Sequence, residues 1–311
     1  MGNIFSLYKV NKVKKSSSCS SSFQEGVYQY VNGRRYLKDF NKYLLPNDDE
    51  ELDRLQEQHY IYWHIWKSHF SSPVETILKL GGVEVLDIGC GSGLWLLEMA
   101  VNYPLSNFTG IDIVPTFPVD THPSNTAFEQ VDITEGLPFP DNRFDFINIR
   151  FVLCLIQEKN LSFIFKEIMR VLKPGGWLEI LDFTSDLINP GPAHRYFYNK
   201  YQALWRQRGI NFYLISALPK YLRRYDLIDI HNEEKTTFFG KKGGIIGELC
   251  LKDWARVYIT LKNSLCEFSS ITSEAYCQLV EDFKTEVDDY HTAFKMSRTF
   301  AQKPRKKLLN L

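Results

Sequence analysis

The chain carries no surplus of either charge: 37 Lys and Arg stand against 37 Asp and Glu. Nothing global therefore points to nucleic acid as a partner. Cysteine is sparse and scattered, at positions 19, 90, 154, 250, 266 and 277, with no C-x-x-C pair. That spacing excludes an evident zinc site and a disulfide framework, and no metal is expected. No apolar run approaches the ~20 residues that span a bilayer. A cleavable signal pattern is missing too, so a reducing, cytoplasmic compartment is the expectation. What is plentiful is apolar side chain: 44% of 311 residues are hydrophobic and 14% aromatic. That suffices for one sizeable core. The aromatics fit either dense packing or a ring-lined pocket.

The stretch Val85-Leu86-Asp87-Ile88-Gly89-Cys90-Gly91-Ser92-Gly93 organises the rest. It reads as a buried parallel strand, a glycine turn and a helix N-terminus, the ligand-binding unit of a doubly wound α/β sheet. Bare main chain at Gly89, Gly91 and Gly93 lets the turn close and a ligand approach. Asp87 decides which ligand. A carboxylate there repels a pyrophosphate at the helix N-terminus and welcomes a cation. S-adenosylmethionine carries a sulfonium and an ammonium. The glycine spacing agrees, because the third glycine of the dinucleotide pattern G-x-G-x-x-G is absent.

Further acids follow at the expected places. Asp112 closes a strand over residues 107–113, where an acid binds ribose hydroxyls in this architecture; its other reading is a cap. Ile113 beside it can cover one adenine face. Asp132, after a strand over 126–131, can accept from an adenine amine while Ile133 packs on the ring. A strand over 144–151 ends at Arg150, beside the glycine loop. Arg150 either pairs with a methionine carboxylate or is structural.

Residues 1–24 form a separate tail. Met1-Gly2-Asn3-Ile4-Phe5-Ser6 fits the N-myristoylation pattern, with Gly2 as acceptor. Lys9, Lys12, Lys14 and Lys15 follow, and Cys19 is a candidate palmitoylation site. An acyl chain plus a basic cluster is the two-signal arrangement that tethers a protein to an anionic membrane face. The plain reading is an unmodified, disordered tail. Residues 25–80 read as an irregular, Tyr-rich lead-in and a helical lid. The lid helix opens at Asn47 as N-cap, with acids in its first turn, and runs to Trp66. His59 and Tyr60 on it, and His194 downstream, are the candidates for a general base; packed histidines are the plainer reading. The SAM-binding core covers 81–185. Residues 186–302 finish the fold with cap helices over 249–266 and 273–288, and 303–311 is a basic, solvated end.

The motifs Asp87-Ile-Gly-Cys-Gly-Ser-Gly93, Phe139-Pro-Asp-Asn-Arg-Phe-Asp145 and Leu172-Lys-Pro-Gly-Gly-Trp177 together resemble class I SAM-dependent methyltransferases. The similarity is to the ubiquinone/menaquinone-biosynthesis-like subgroup and to fungal methyltransferase-domain proteins related to secondary-metabolism regulators. It implies a Rossmann-like, seven-stranded sheet with the last strand antiparallel, helices on both faces and helical caps at both ends. It also implies that Asp87, Gly89, Gly91 and Gly93 hold the methionine end, Asp112 the ribose, and Asp132 and Ile133 the adenine. Cys90 lies within the same loop. The strand ending in Asn148-Ile-Arg-Phe151 departs from the N-P-P-Y of amino methyltransferases, which favours an O or C atom of a small-molecule acceptor. The competing reading is a SAM-binding regulatory protein with little turnover.

Overall fold

The computed structural model describes residues 28–39, 43 and 45–305. Gly2 and Cys19 lie outside them. The described chain opens with an antiparallel hairpin, β1 (Tyr28–Val31) and β2 (Arg34–Leu37). Asn32 and Gly33 form its turn with φ of 52° and 79°. Asn-Gly is the pair that tolerates two positive φ values in a two-residue hairpin. The lead-in is thus ordered, where the sequence reading expected irregular chain.

The hairpin sets the start of α1 (Asp49–Trp66). Asp48 is the N-cap: its carboxylate accepts from the Glu51 N–H at 3.1 Å and pairs with Arg34 at 2.6 Å. Asn47, the expected cap, instead accepts from Arg35 Nε at 2.8 Å. The chain goes on through α2 (Glu75–Leu80), β3 (Glu84–Ile88), α3 (Leu94–Asn102), β4 (Asn107–Asp112), β5 (Thr126–Gln130), β6 (Phe144–Arg150), α4 (Glu158–Val171) and β7 (Leu172–Ile188). It finishes with α5 (Pro192–Gln207), α6 (Leu218–Leu222), β8 (Ile228–Phe238), α7 (Gly244–Thr260), α8 (Lys262–Ser269), α9 (Ser273–Tyr290) and β9 (Ala293–Gln302).

Seven strands form one sheet in the order β5-β4-β3-β6-β7-β9-β8. β3 pairs in parallel with β4 on one side and β6 on the other. The order reverses at β3, and the crevice beyond its carboxyl end is where this architecture binds ligands. The last strand, β9, is antiparallel to both β7 and β8 and lies between them. Strands buried on both faces read as nearly continuous apolar runs, as Val85, Leu86 and Ile88 do. Separate apolar clusters cover the two faces. A third, rich in aromatics, joins α1 to α5, α7, α8 and α9.

A buried ionic cluster holds α1 against α7 through Asp253. Arg54 pairs with Glu51 and with Asp253, each at 2.7 Å, and all three side chains are at most 5% exposed. Gln58 donates to the other Asp253 oxygen at 3.0 Å. The basic end departs from the expected solvated tail at Lys303. Its ammonium donates to the Met169 and Leu172 carbonyls, both at 2.6 Å, at the C-terminal end of α4. No helix among the described residues is long and apolar enough to cross a membrane.

Candidate cofactor site

A cavity of about 510 Å³ opens beyond the carboxyl ends of β3, β4 and β6. Its volume is ordinary for a small-molecule site. Gly89, Cys90, Gly91, Asp112, Ile113, Asp132, Ile133, Arg150 and His59 all line it. These positions come from α1 and from four separate loops, so only the topology brings them together.

The glycine loop is built for close approach. Gly89 has φ of 72°, and a Cβ there would overlap a Val152 methyl. Gly91, at φ of 54°, has open space where its Cβ would be. Gly93 has a different task. It caps α3, and a Cβ would meet the Phe128 ring at 2.7 Å, so it serves packing and is not among the lining residues. The Cys90 side chain is buried, and burial pushes its thiol up, so it is an inert wall rather than a nucleophile.

Asp112 accepts the Gly91 N–H on one oxygen at 2.7 Å and the Val114 N–H on the other at 2.9 Å. One carboxylate thereby pins the glycine loop and its own strand end, and each oxygen keeps a lone pair for a ligand. Asp132 accepts from the Thr134 N–H and hydroxyl on one oxygen, at 2.9 and 2.6 Å.

The opposite end is electrostatically unusual. Asp87, in β3 two residues before Gly89, lies behind the lining, 1% exposed, and accepts from Asn148 Nδ2 at 2.7 Å through one oxygen. Its second oxygen has no partner. Burial pushes Asp87 up to about 6, against the opposing pull of Arg150 and Asn148. Arg150 stacks over Trp95 with its Cζ 5.6 Å from the ring centroid. Among the described residues it forms no ion pair, its buried Nε has no partner, and burial pulls the guanidinium down. No local signal marks the Asn148 contact, because it joins two strands at positions sixty-one residues apart.

The three candidate bases separate. His59 is buried at the cavity wall, its Nε2 2.9 Å from Glu98 and its Nδ1 3.3 Å from Arg150. Tyr60 is 40% exposed on the outer face of α1 and does not line the cavity. His194 is a correction of the sequence expectation. It sits fully buried in the aromatic cluster, its Nε2 3.0 Å from the Tyr258 hydroxyl, away from the cavity. Burial pushes it down to about 3, so it is a neutral core residue.

The sequence profile described as "Methyltransferase domain" matches residues 31–232. The chain belongs to the methyltransferase-domain family. Its motifs and strand order are those of class I SAM-dependent methyltransferases. One relative is the secondary metabolism regulator laeA of Coprinopsis cinerea, 30% identical over 48% of this chain and 38% of its own length. Another is the N-methyltransferase verN of Clonostachys rogersoniana, 22% identical over 90% of this chain and 99% of its own. The chain spans half or less of the length of several curated relatives it matches. Among solved structures, a Haloferax volcanii methyltransferase in complex with the Trm112 activator shares the fold. Its TM-score is 0.51, with 18% identity over 86% of this chain and 98% of that one.

S-adenosylmethionine is the cofactor of this family, and the site fits it. Arg150 at the wall and Asp87 behind it interact electrostatically, and each keeps one buried atom, Nε and Oδ2, without a partner. That pair matches the ammonium and carboxylate of an α-amino acid. Asp112 and Asp132, each beside an isoleucine, stand at the other end, where a nucleoside would find them.

Proposed function

We propose that the protein transfers the methyl group of S-adenosylmethionine to an oxygen or carbon atom of a small, non-cationic acceptor. The observation that carries the reading is the juxtaposition of Asp87 and Arg150, oppositely charged groups that interact electrostatically and each keep one buried atom, Oδ2 and Nε, without a partner. Asp112 would hold the ribose, and Asp132, Ile113 and Ile133 the adenine. Arg150 would take the methionine carboxylate and Asp87 the ammonium. The cofactor supplies an already activated methyl group, so the protein's tasks are alignment and exclusion of water.

The acceptor reading rests on the rest of the cavity wall. Leu55, Phe151, Val152, Leu155 and Ile156 are apolar, and Tyr43 adds a hydroxyl. The lining carboxylates, Asp112 and Asp132, are engaged at the nucleoside end. None remains to pair with an ammonium, and a buried unpaired cation is costly. An acceptor that is neutral or acidic suits such a wall. No lining histidine is free to act as a base, since both His59 nitrogens are engaged. The acceptor would therefore arrive as a good nucleophile, such as an enol, an acidic phenol or a carboxylate.

The test is a screen with methyl-labelled cofactor against phenols, enols, carboxylic acids, amides and alkylamines. Transfer to one of the first three supports the reading. Transfer to alkylamines alone overturns it. The second reading is a SAM-binding regulator with little turnover, favoured by the name of the Coprinopsis relative. Tight cofactor binding without transfer to any acceptor would move that reading ahead.

A further inference from the structure

His59 sits between two groups that ask opposite things of its ring. Arg150 Nη1 is 3.3 Å from Nδ1, and a guanidinium can only donate. Nδ1 must therefore carry the lone pair. The ring's one proton then lies on Nε2, where it donates to the Glu98 carboxylate 2.9 Å away. The tautomer follows from the partners. Three elements meet here: α1 brings His59, α3 brings Glu98 and β6 brings Arg150. His69 and Arg298 complete the surroundings, with His69 Nδ1 3.7 Å from the same Glu98 oxygen.

We propose that His59 is a positioning residue for the cofactor: the chain Glu98···His59···Arg150 aims the Arg150 guanidinium at the methionine carboxylate. This rests on the assignment of Arg150 to that carboxylate. The chain explains how a buried guanidinium without a carboxylate partner stays in one orientation. Trp95 supports its face and His59 holds one edge, leaving the remaining donors for the ligand. It also gives the lid helix a defined task. Arg54 and Gln58 anchor α1 to α7, so the position of His59 is fixed from both sides.

The same geometry argues against a metal at His59, His69 and Glu98, although their ligand atoms lie within 4.8 Å of one another. With the proton on Nε2, that nitrogen has no lone pair to offer. Two arginines stand close by.

The experiment compares two probes by calorimetry, S-adenosylhomocysteine and 5′-methylthioadenosine. They share the nucleoside, but only the first has the amino-acid end. His59→Phe keeps bulk and removes the acceptor. It should weaken S-adenosylhomocysteine roughly ten-fold or more, the worth of a hydrogen bond to a charged group, and leave 5′-methylthioadenosine within two-fold. His59→Gln, which can accept and donate at once, should restore most of the loss. The losses from His59→Phe and Arg150→Met should not add, because one residue acts through the other. Nitrogen-15 NMR of the wild-type imidazoles should show His59 as the neutral Nε2–H form at pH 7.5. Equal weakening of both probes, additive losses, or an Nδ1–H tautomer would each overturn the proposal. If the wild type binds neither probe, the cofactor reading itself fails, a distinct result.

Discussion

Replacing Asp112 by asparagine is less conservative than it looks. Each carboxylate oxygen accepts one backbone N–H, from Gly91 at 2.7 Å and from Val114 at 2.9 Å. An amide has one acceptor end, so its NH2 must face one of those N–H groups. Whichever way it turns, a backbone donor is left unsatisfied, at a cost of about 1–3 kcal/mol. If the NH2 turns to Gly91, the glycine loop is released at the point where the cofactor would rest. The ligand side loses as well. A charged acceptor for ribose hydroxyls contributes about 1.5–3 kcal/mol, or roughly 10- to 150-fold in affinity. Asp112→Asn should therefore lower both the urea midpoint of the free protein and the affinity for S-adenosylhomocysteine by calorimetry. An affinity within two-fold of wild type would refute the placement of ribose at Asp112. An unchanged midpoint would refute the claim that this carboxylate holds the loop.

Other predictions concern neighbouring groups. Gly89→Ala forces a methyl into Val152 at φ of 72°, where an L side chain costs about 1–2 kcal/mol before any clash. It should lower thermal stability and cofactor affinity together, and adding Val152→Ala should recover only part of the stability. Asp87→Asn should stabilise the cofactor-free protein. A buried carboxyl that titrates near 6 when folded and near 3.8 when unfolded favours the folded state less as pH rises between those values. The wild type thus gives up as much as about 3 kcal/mol at pH 7. The variant's advantage in urea melts should be full at pH 7 and vanish below pH 4, and an advantage independent of pH would contradict the assignment. Arg54→Met strands the Glu51 and Asp253 carboxylates in the core and should cost about 3–5 kcal/mol in urea melts. A loss under 1 kcal/mol would show that the α1–α7 contact is looser than drawn.

Much of the frame was legible because its signals are local. Apolar runs bounded by glycine and acid mark β3, β4 and β6 to within a residue or two. The Asp87 loop announced the switch point at β3. The hairpin was missed although its signal is local: Asn32-Gly33 between Tyr28-Gln-Tyr-Val31 and Arg34-Arg-Tyr-Leu37 is a strong turn pair, obscured by the tyrosines around it. What one-dimensional reasoning could not reach were partnerships across the sheet. Periodicity places His59 on a helix facing inward, but it cannot show that Glu98 and Arg150 occupy both its nitrogens. His194 illustrates the converse. A histidine beside tyrosines resembles a site, and only the packing of Phe239, Phe283 and Tyr258 around it reveals a core position. Gly93 matched the loop pattern for a reason of its own, the Phe128 ring beneath it.

The most direct measurement is calorimetric titration of the purified protein with S-adenosylmethionine, with NADH as control. The account predicts saturable, one-to-one binding of S-adenosylmethionine at micromolar affinity and no binding of NADH. Binding of NADH with none of S-adenosylmethionine would contradict the roles assigned to Asp87, Asp112 and Arg150.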